Sequence, residues 1–468
     1  MTVKLALPTG DIRSAVAAIL REAGLPTDGY DPSSRLLRAH FADHGLAVRI
    51  FRERDIPVQI ALGNYDAGIC SAVWVLEESI RFPRQDLRLL GALPGPALGV
   101  WLAAAPASGL EPGTLPVPQP GLRLVSEFPN LADAVAVRLR WPVYRLFPLY
   151  GSAEAYPPED ADLALLAAPN AGEVERLGLV PLAEVARSPL VFVANRRALA
   201  AKDLSPLLAA LRGQLREPPP GLVAPVGLPL RPMARCTRRS DVVRLALPDG
   251  HAQRHTFEAL LAAGLSFDGY GEKTFVRRPR SDIEGLEVKV VRPQDMPAFV
   301  ARGAFDAAVT GVDWLRDHLS RFPSSPVRMA VDLGRSRYKI GPVVDQAFPA
   351  DTTADALPVW WGLGRPIRIA SEYPALAEDF ARRFHLPAAV IMPINGASEG
   401  FVPEDADILI EGSETGTSIR ANGLKMLDPF LESTNCLIVR EPALTSRTDL
   451  LDDLVAKLRA GLPASAGA

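Results

Sequence analysis

The run Asp405-Ala-Asp407-Ile-Leu-Ile-Glu411-Gly412-Ser413-Glu414-Thr415-Gly416-Thr417-Ser418-Ile-Arg-Ala-Asn422-Gly423-Leu424 has the residue types needed to hold a sugar phosphate. A short apolar stretch ends in an acid, and small hydroxyl residues with glycine then lead into a helical turn. Backbone N–H groups at such a helix start converge on one spot, and the hydroxyls add donors. A phosphate monoester can therefore be held there without any lysine. Glu411, just before the loop, can accept hydrogen bonds from ribose hydroxyls. Acid, then Thr-Gly-Thr-Ser, then helix is the layout expected of a ribose 5-phosphate site. An ordinary strand–turn–helix connection capped by Ser418 would use the same residue types.

The chain supplies its own comparison. Val3-Lys-Leu-Ala-Leu-Pro-Thr-Gly10 returns as Val243-Arg-Leu-Ala-Leu-Pro-Asp-Gly250, and Asp28-Gly-Tyr30 as Asp268-Gly-Tyr270. A repeat of this size is a duplicated domain. Copy one keeps the flanks of the loop, Glu159-Asp-Ala-Asp162 and Gly178-Leu179, but reads Ala168-Pro169-Asn170-Ala-Gly172-Glu173 between them. Pro169 removes a donor, the Thr and Ser hydroxyls are gone, and Glu173 stands in place of Ser418. A structural turn would tolerate similar residues in both copies, whereas a ligand site requires the difference. Copy two is therefore expected to bind the phosphate and copy one not to.

The elements that must position this loop alternate βαβα. Strands are expected at Lys4–Leu7, Val48–Phe51 and Tyr65–Cys70, with helices at Ile12–Ala23, closed by Gly24, and Asp55–Gly63. Copy two repeats them at Val288–Val291, Asp295–Gly303 and Phe305–Val309. A second unit opens with strands at Leu122–Ser126 and Ile367–Ser371. Each copy thus reads as two α/β lobes, with ligands expected at the carboxyl ends of the parallel strands. The expected lobes are about 1–105 plus 180–215 and 106–179 in copy one, and 241–345 plus 425–468 and 346–424 in copy two. The proline-rich stretch 216–240 reads as a semi-extended linker.

Composition narrows the class. The 468 residues carry 51 Lys+Arg against 54 Asp+Glu, so no charge excess points to nucleic acid or an anionic membrane. Cys70, Cys236 and Cys436 are far apart with no CxxC, which fits a reducing compartment rather than a disulfide framework or structural zinc. The N-terminus lacks a signal-peptide pattern, so a cytoplasmic location is expected. Leu89 to Leu110 is uncharged and nearly long enough to span a bilayer, but Pro94, Pro96 and Pro106 break it. It reads as a buried strand pair.

With these residues in view, the chain resembles the ATP phosphoribosyltransferase family, the first enzyme of histidine biosynthesis. The resemblance rests on the Glu411–Ser418 loop, on Val291-Arg292-Pro293-Gln-Asp295-Met-Pro297, and on Gly303, Asp306 and Thr310-Gly311. It also rests on Gly334-Arg335-Ser336-Arg337, Tyr373-Pro374, Asn395-Gly396-Ala-Ser-Glu399 and the closing Ala-Asn-Gly-Leu424. It covers nearly all of copy two and, more weakly, copy one. The family's Leu-Pro-Lys-Gly-Arg loop is not kept: copy two has Asp249-Gly250-His251 and copy one Thr9-Gly10-Asp11. The losses are complementary, since copy one keeps Ser34-Arg35 and Arg52.

The resemblance implies two tandem copies of a bilobal, periplasmic-binding-protein-like α/β fold, each lobe a mostly parallel sheet flanked by helices. It implies the short form, expected to be without the regulatory domain of the long form. The implied reaction joins N1 of ATP to C1 of phosphoribosyl diphosphate and releases diphosphate. Arg292, Glu411 and Arg337 are the implied catalytic residues, and Glu411 to Ser418 the phosphoribosyl-diphosphate site. Gly250, Asp306, Glu399 and Arg335 are candidates for the nucleotide pocket, with a capping or solvent-facing role as the alternative for Glu399. Arg35 and Arg52 are candidates to reach across a covalent pseudo-dimer, with a surface role as the alternative for Arg35. Mg²⁺ would be bound through substrate, with no dedicated metal cage. A regulatory subunit and further homo-oligomers are compatible partners. Two other readings stay open: a regulatory homologue that binds a nucleotide or amino acid without catalysis, and a phosphoribosyltransferase acting on another base.

Overall fold

The computed structural model describes residues 2–31, 34, 36–41, 45–83, 86–223, 225–273 and 276–462. Four sheets form two tandem pairs. Lobe 1A orders its strands Arg38–Phe41, Leu46–Phe51, Val3–Pro8, Ala67–Ser71, Leu190–Asn195, Leu87–Ala92. Lobe 2A orders Leu286–Val291, Val243–Pro248, Ala307–Gly311, Asn435–Arg440, Val327–Asp332. The register confirms the duplication. Val3 to Pro8 pairs in parallel with Leu46 to Phe51 residue for residue, as Val243 to Pro248 pairs with Leu286 to Val291. Each sheet has a parallel core, extended by antiparallel strands that return from the neighbouring lobe.

The lobe limits differ from those expected. Leu98–Ala104 and Val180–Ser188 belong to the sheet of lobe 1B, with Leu163–Ala168, Leu122–Ser126 and Tyr144–Pro148. Tyr338–Asp345, Leu424–Met426 and Leu431–Ser433 likewise belong to lobe 2B. The apolar stretch 89–110 is therefore not one strand pair. Its two strands lie in different sheets, separated at Pro94-Gly95-Pro96, where proline cannot donate to a ladder. Two chain crossings per copy give the bilobal arrangement.

Helices flank both faces of each sheet, and on one face they pack together with residues of the other copy. Ala6, Phe51, Ile56 and Tyr65 of lobe 1A share a core with Val343, Ala370, Ile394 and Phe401 of lobe 2B. Val125, Leu149 and Tyr156 of lobe 1B share another with Val291, Met296, Phe299 and Phe305 of lobe 2A. Ring pairs Phe51–Phe401 at 4.7 Å and Tyr156–Phe299 at 4.6 Å sit at these two contacts. Polar contacts repeat with the same symmetry. Arg38 donates to the Val402 carbonyl as Arg278 does to that of Pro157. Arg49 pairs with Glu404 as Lys289 pairs with Glu159. The copies form an antiparallel pseudo-twofold pair, lobe 1A on 2B and lobe 1B on 2A.

The linker is extended and docked. Leu230–Arg231 pairs in parallel with Leu115–Pro116. Arg235 then pairs with buried Asp162 of lobe 1B at 2.9 Å, and Arg238 with buried Asp306 of lobe 2A. No helix among the described residues is long and apolar enough to cross a membrane.

Candidate active site

The loop expected to hold phosphate follows the strand Ile408–Ser413 and turns at Gly416, whose φ of +70° suits glycine. The Ser413 hydroxyl accepts from the Gly416 N–H at 2.8 Å, and the Thr415 and Thr417 hydroxyls lie 2.8 Å apart. Arg420 donates to the Thr415 carbonyl at 2.8 Å, which braces the loop from behind. Glu414, Thr415, Thr417 and Ser418 are exposed, and the short helix Thr417–Ala421 leads away.

The equivalent turn in copy one closes on itself. The Asn170 side chain caps the helix Ala171–Arg176 by accepting the Glu173 N–H at 3.0 Å, and Glu173 is paired with Arg176. A side-chain oxygen thus takes a donor that a phosphate would otherwise use.

Glu411 accepts from the Ser398 hydroxyl on one oxygen and from the Gly412 N–H at 2.9 Å on the other. Burial, followed by the nearby Glu372 charge, pushes its pKa up to about 8. Glu372 is itself pushed up to about 7, by burial first and the Asp55 charge second. Neither Glu372 nor this coupling was visible in the motifs. Glu372 stands directly before Tyr373-Pro374, and only the fold brings it to Glu411.

A cavity of about 320 Å³ lies in the cleft of copy two, between lobes 2A and 2B. Gly250, Arg292, Arg337, Gly412 and Glu414 line it, so the structure brings together the first loop, two predicted arginines and the start of the phosphate loop. Trp314 and Tyr373, also in the lining, have ring centroids 4.4 Å apart. Arg337 pairs with Glu432 at 2.9 Å on the exposed rim. Arg292 reaches Asp249 at 3.2 Å, and Asp249 also pairs with Arg277 at 2.7 Å. Arg277 is bound in turn to Glu154 of copy one at 2.7 Å. The carboxylate standing where the family has lysine therefore compensates two arginines.

Two nucleotide-pocket candidates are corrected. Asp306 precedes its strand, at the end opposite the cleft. Its buried carboxylate takes the Arg244 N–H at 3.0 Å and the Arg238 guanidinium, a structural role. Asp66, Asp162 and Asp407 do the same for Lys4, Arg123 and Arg368 in the other lobes. Arg335 turns away from the cavity to Glu258, 3.3 Å away.

A second cavity of about 450 Å³ opens on the other side of the phosphate loop, between the copies. Arg52, Thr9, Gly10 and Arg13 of copy one line it with Glu399, Ser418 and Asn422 of copy two. The Asn422 carboxamide oxygen accepts the Leu37 N–H of copy one at 3.1 Å, fixing this junction. Arg52 and Glu399 are thus placed beside the loop, though on its junction side. Arg35 lies outside the described residues. Arg13 was missed, because an arginine in the first turn of an amphipathic helix reads as solvent-facing.

Fold and site together define a duplicated bilobal α/β protein with one open, hydroxyl-rich strand–helix loop beside a copy junction. The family model for ATP phosphoribosyltransferase matches residues 52–215 and again 292–460. The chain belongs to this family, in tandem duplicate. An ATP phosphoribosyltransferase of Chlorobaculum parvum is 31% identical over 207 residues, spanning 43% of this chain and 65% of that relative. One of Deinococcus deserti is 29% identical over 224 residues, spanning 48% of this chain and 94% of that relative. Among solved structures, the ATP phosphoribosyl transferase (HisG:HisZ) complex of Thermotoga maritima is 16% identical. The alignment spans 47% of this chain and 98% of that one, with a TM-score of 0.38.

Proposed function

We propose that the chain transfers the phosphoribosyl group of phosphoribosyl diphosphate to N1 of ATP, and that it does so at copy two alone. The observation that carries this reading is the contrast between the two turns: Gly416 with exposed Thr and Ser hydroxyls and no side-chain cap in copy two, a self-capped Asn170 turn in copy one.

In this reading the N–H groups and hydroxyls of Thr415 to Ser418 hold the 5-phosphate, and Glu411 accepts from the ribose hydroxyls. ATP occupies the copy-two cavity, with its phosphates toward Arg292 and Arg337. The bond from C1 to the diphosphate oxygen breaks as the bond from N1 to C1 forms, through an oxocarbenium-like ribose. N1 carries no proton, so no strong base is demanded, and holding N1 in line with C1 supplies most of the acceleration. Mg²⁺ bound through substrate would neutralise charge on the departing diphosphate. The residues fit that arrangement. Glu414 in the cavity lining would offer one carboxylate to a substrate-carried ion.

The test is turnover: full-length chain with phosphoribosyl diphosphate, ATP and Mg²⁺, following the absorbance of phosphoribosyl-ATP. Product formation that disappears on Thr415→Ala/Ser418→Ala supports the reading. One observation favours a second reading: Asp249 occupies both Arg277 and Arg292, as a regulatory homologue without catalysis would allow. Tight nucleotide binding without turnover would replace the enzyme by that homologue.

A further inference from the structure

Each of the four sheets has an acid just before one of its strands, and each acid is paired with a cation. Lobes 1A and 2B supply their own: Lys202 pairs with Asp66 at 2.7 Å and Arg365 with Asp407 at 2.6 Å. At the corresponding places in lobes 1B and 2A, cations come from the linker. Arg235 pairs with Asp162 at 2.9 Å and Arg238 with Asp306, and both carboxylates are buried. The Cys236 carbonyl, between the two arginines, also accepts from Arg123 of lobe 1B at 3.3 Å. Three steps of extended chain span at most about 11 Å. With both arginines seated, lobes 1B and 2A are tethered on a short leash.

Ion pairs bolt the same junction beneath the linker. Lys289 of lobe 2A, its side chain 7% exposed, pairs with Glu159 of lobe 1B at 2.8 Å and also with Asp160. Arg278 pairs with Glu159 at 2.9 Å, and Arg277 with Glu154 at 2.7 Å. A slight pivot would draw these charges apart before water could replace the partners, which is unfavourable. The pseudo-symmetric 1A–2B junction is built otherwise. Asp405, the counterpart of Asp160, accepts the neutral Tyr65 hydroxyl at 2.8 Å. Arg49–Glu404 is the one ion pair across it among the described residues, and the Glu404 side chain is 38% exposed. The chain passes from copy one to copy two once, along the linker, so only non-covalent contacts join lobes 1A and 2B.

We infer that the linker is a strap that makes the 1B–2A junction the fixed pivot of the pair and leaves the 1A–2B junction as the jaw that opens. The strap selects which junction moves, while the two shared cores keep the copies together. This rests on the docked linker and the junction contacts alone, and it holds whatever reaction the chain performs.

The fold supplies matched reporters. The Tyr150 N–H donates to Asp295 across the pivot, and the Asn395 N–H donates to Asp55 across the jaw. The experiment is hydrogen–deuterium exchange of the full-length chain, read at single amides by mass spectrometry and corrected for each amide's intrinsic rate. The Tyr150 amide is expected to exchange roughly tenfold more slowly than that of Asn395. In Arg235→Ala/Arg238→Ala the Tyr150 amide should accelerate by roughly tenfold and that of Asn395 by less than about threefold, whereas Arg235→Lys/Arg238→Lys should keep most of the protection. Equal protection of the two amides in the unmodified chain would overturn the inference, and that comparison stands even where the alanine variant does not fold. So would an unchanged Tyr150 rate in the alanine variant, or equal acceleration at both amides, which would make the linker a general stabiliser that selects neither junction.

Discussion

Asp55 of copy one holds Asn395 of copy two by two hydrogen bonds, from the backbone N–H at 3.1 Å and from the side-chain amide at 2.8 Å. The pseudo-symmetric pair repeats the backbone half: Asp295 accepts the Tyr150 N–H at 3.1 and 3.2 Å. Asn395 is followed by Gly396 and by Ser398, which donates to Glu411. A carboxylate of the N-terminal copy thus anchors the segment that orients the acid at the phosphate loop. Asp55→Ala should therefore act at a distance. We expect the KM for phosphoribosyl diphosphate to rise several-fold and Tm to fall, because a buried amide pair loses its acceptor at about 1–3 kcal/mol. Steady-state kinetics with a thermal melt would check both.

Thr415→Ala and Ser418→Ala should each raise the KM for phosphoribosyl diphosphate roughly tenfold, the value of one charge-assisted hydrogen bond. Asn170→Ala should leave KM unchanged and cost about 1 kcal/mol of stability, as loss of a helix cap does. Equal effects of Asn170 and Ser418 on KM would contradict the assignment of phosphate to copy two.

Glu411 makes stability depend on pH. Its folded pKa, about 8, lies above the ordinary value of 4.5, with burial as the main cause. The folded state therefore binds the proton more tightly than the unfolded state. Its contribution is fully present below about pH 4.5 and is lost as pH rises toward 8. Glu411→Gln should accordingly match the parent Tm near pH 5 and exceed it near pH 9. A Tm difference that is flat across this range would show that Glu411 titrates normally.

Asp249→Asn removes the carboxylate that holds Arg277 and Arg292. Arg292, with a side chain 42% exposed, then becomes available to phosphate oxygens. The KM for ATP should fall several-fold, with the gain shrinking at high salt. No change at low salt would mean that Arg292 does not meet the nucleotide.

Cutting the linker should not part the copies. Two shared hydrophobic cores join them, in addition to the docked segment. With a protease site inserted in Pro218-Pro-Pro-Gly221, the two fragments should co-elute by size-exclusion chromatography after cleavage. Separate elution would make the linker, rather than burial, the cause of pairing.

Much of this molecule was legible from one chain because it is written twice. The repeated strands Val3–Pro8 and Val243–Pro248, the αβ order and the loss of hydroxyls around Pro169 all follow from local residue types, whose backbone preferences act over a few positions; the Asn170 cap appears only in the structure. The lobe limits were misplaced because a long apolar strand reads alike whether it stays in one sheet or crosses to the next. Asp306 was misread for a similar reason: an acid before a strand looks the same whether it faces a ligand or ties down Arg238.

The sequence alone determined which copy keeps an open Gly-Thr-Ser turn, since glycine, hydroxyls and an uncapped turn are properties of consecutive residues. Tertiary structure decided where the charges stand. It neutralised Arg292 with Asp249, joined Glu372 to Glu411, and buried Arg13 in a cavity shared with Ser418 of the other copy. Electrostatic partners are chosen by distance in space, and between Arg13 and Ser418 that distance is set by the packing of two lobes from opposite halves of the chain.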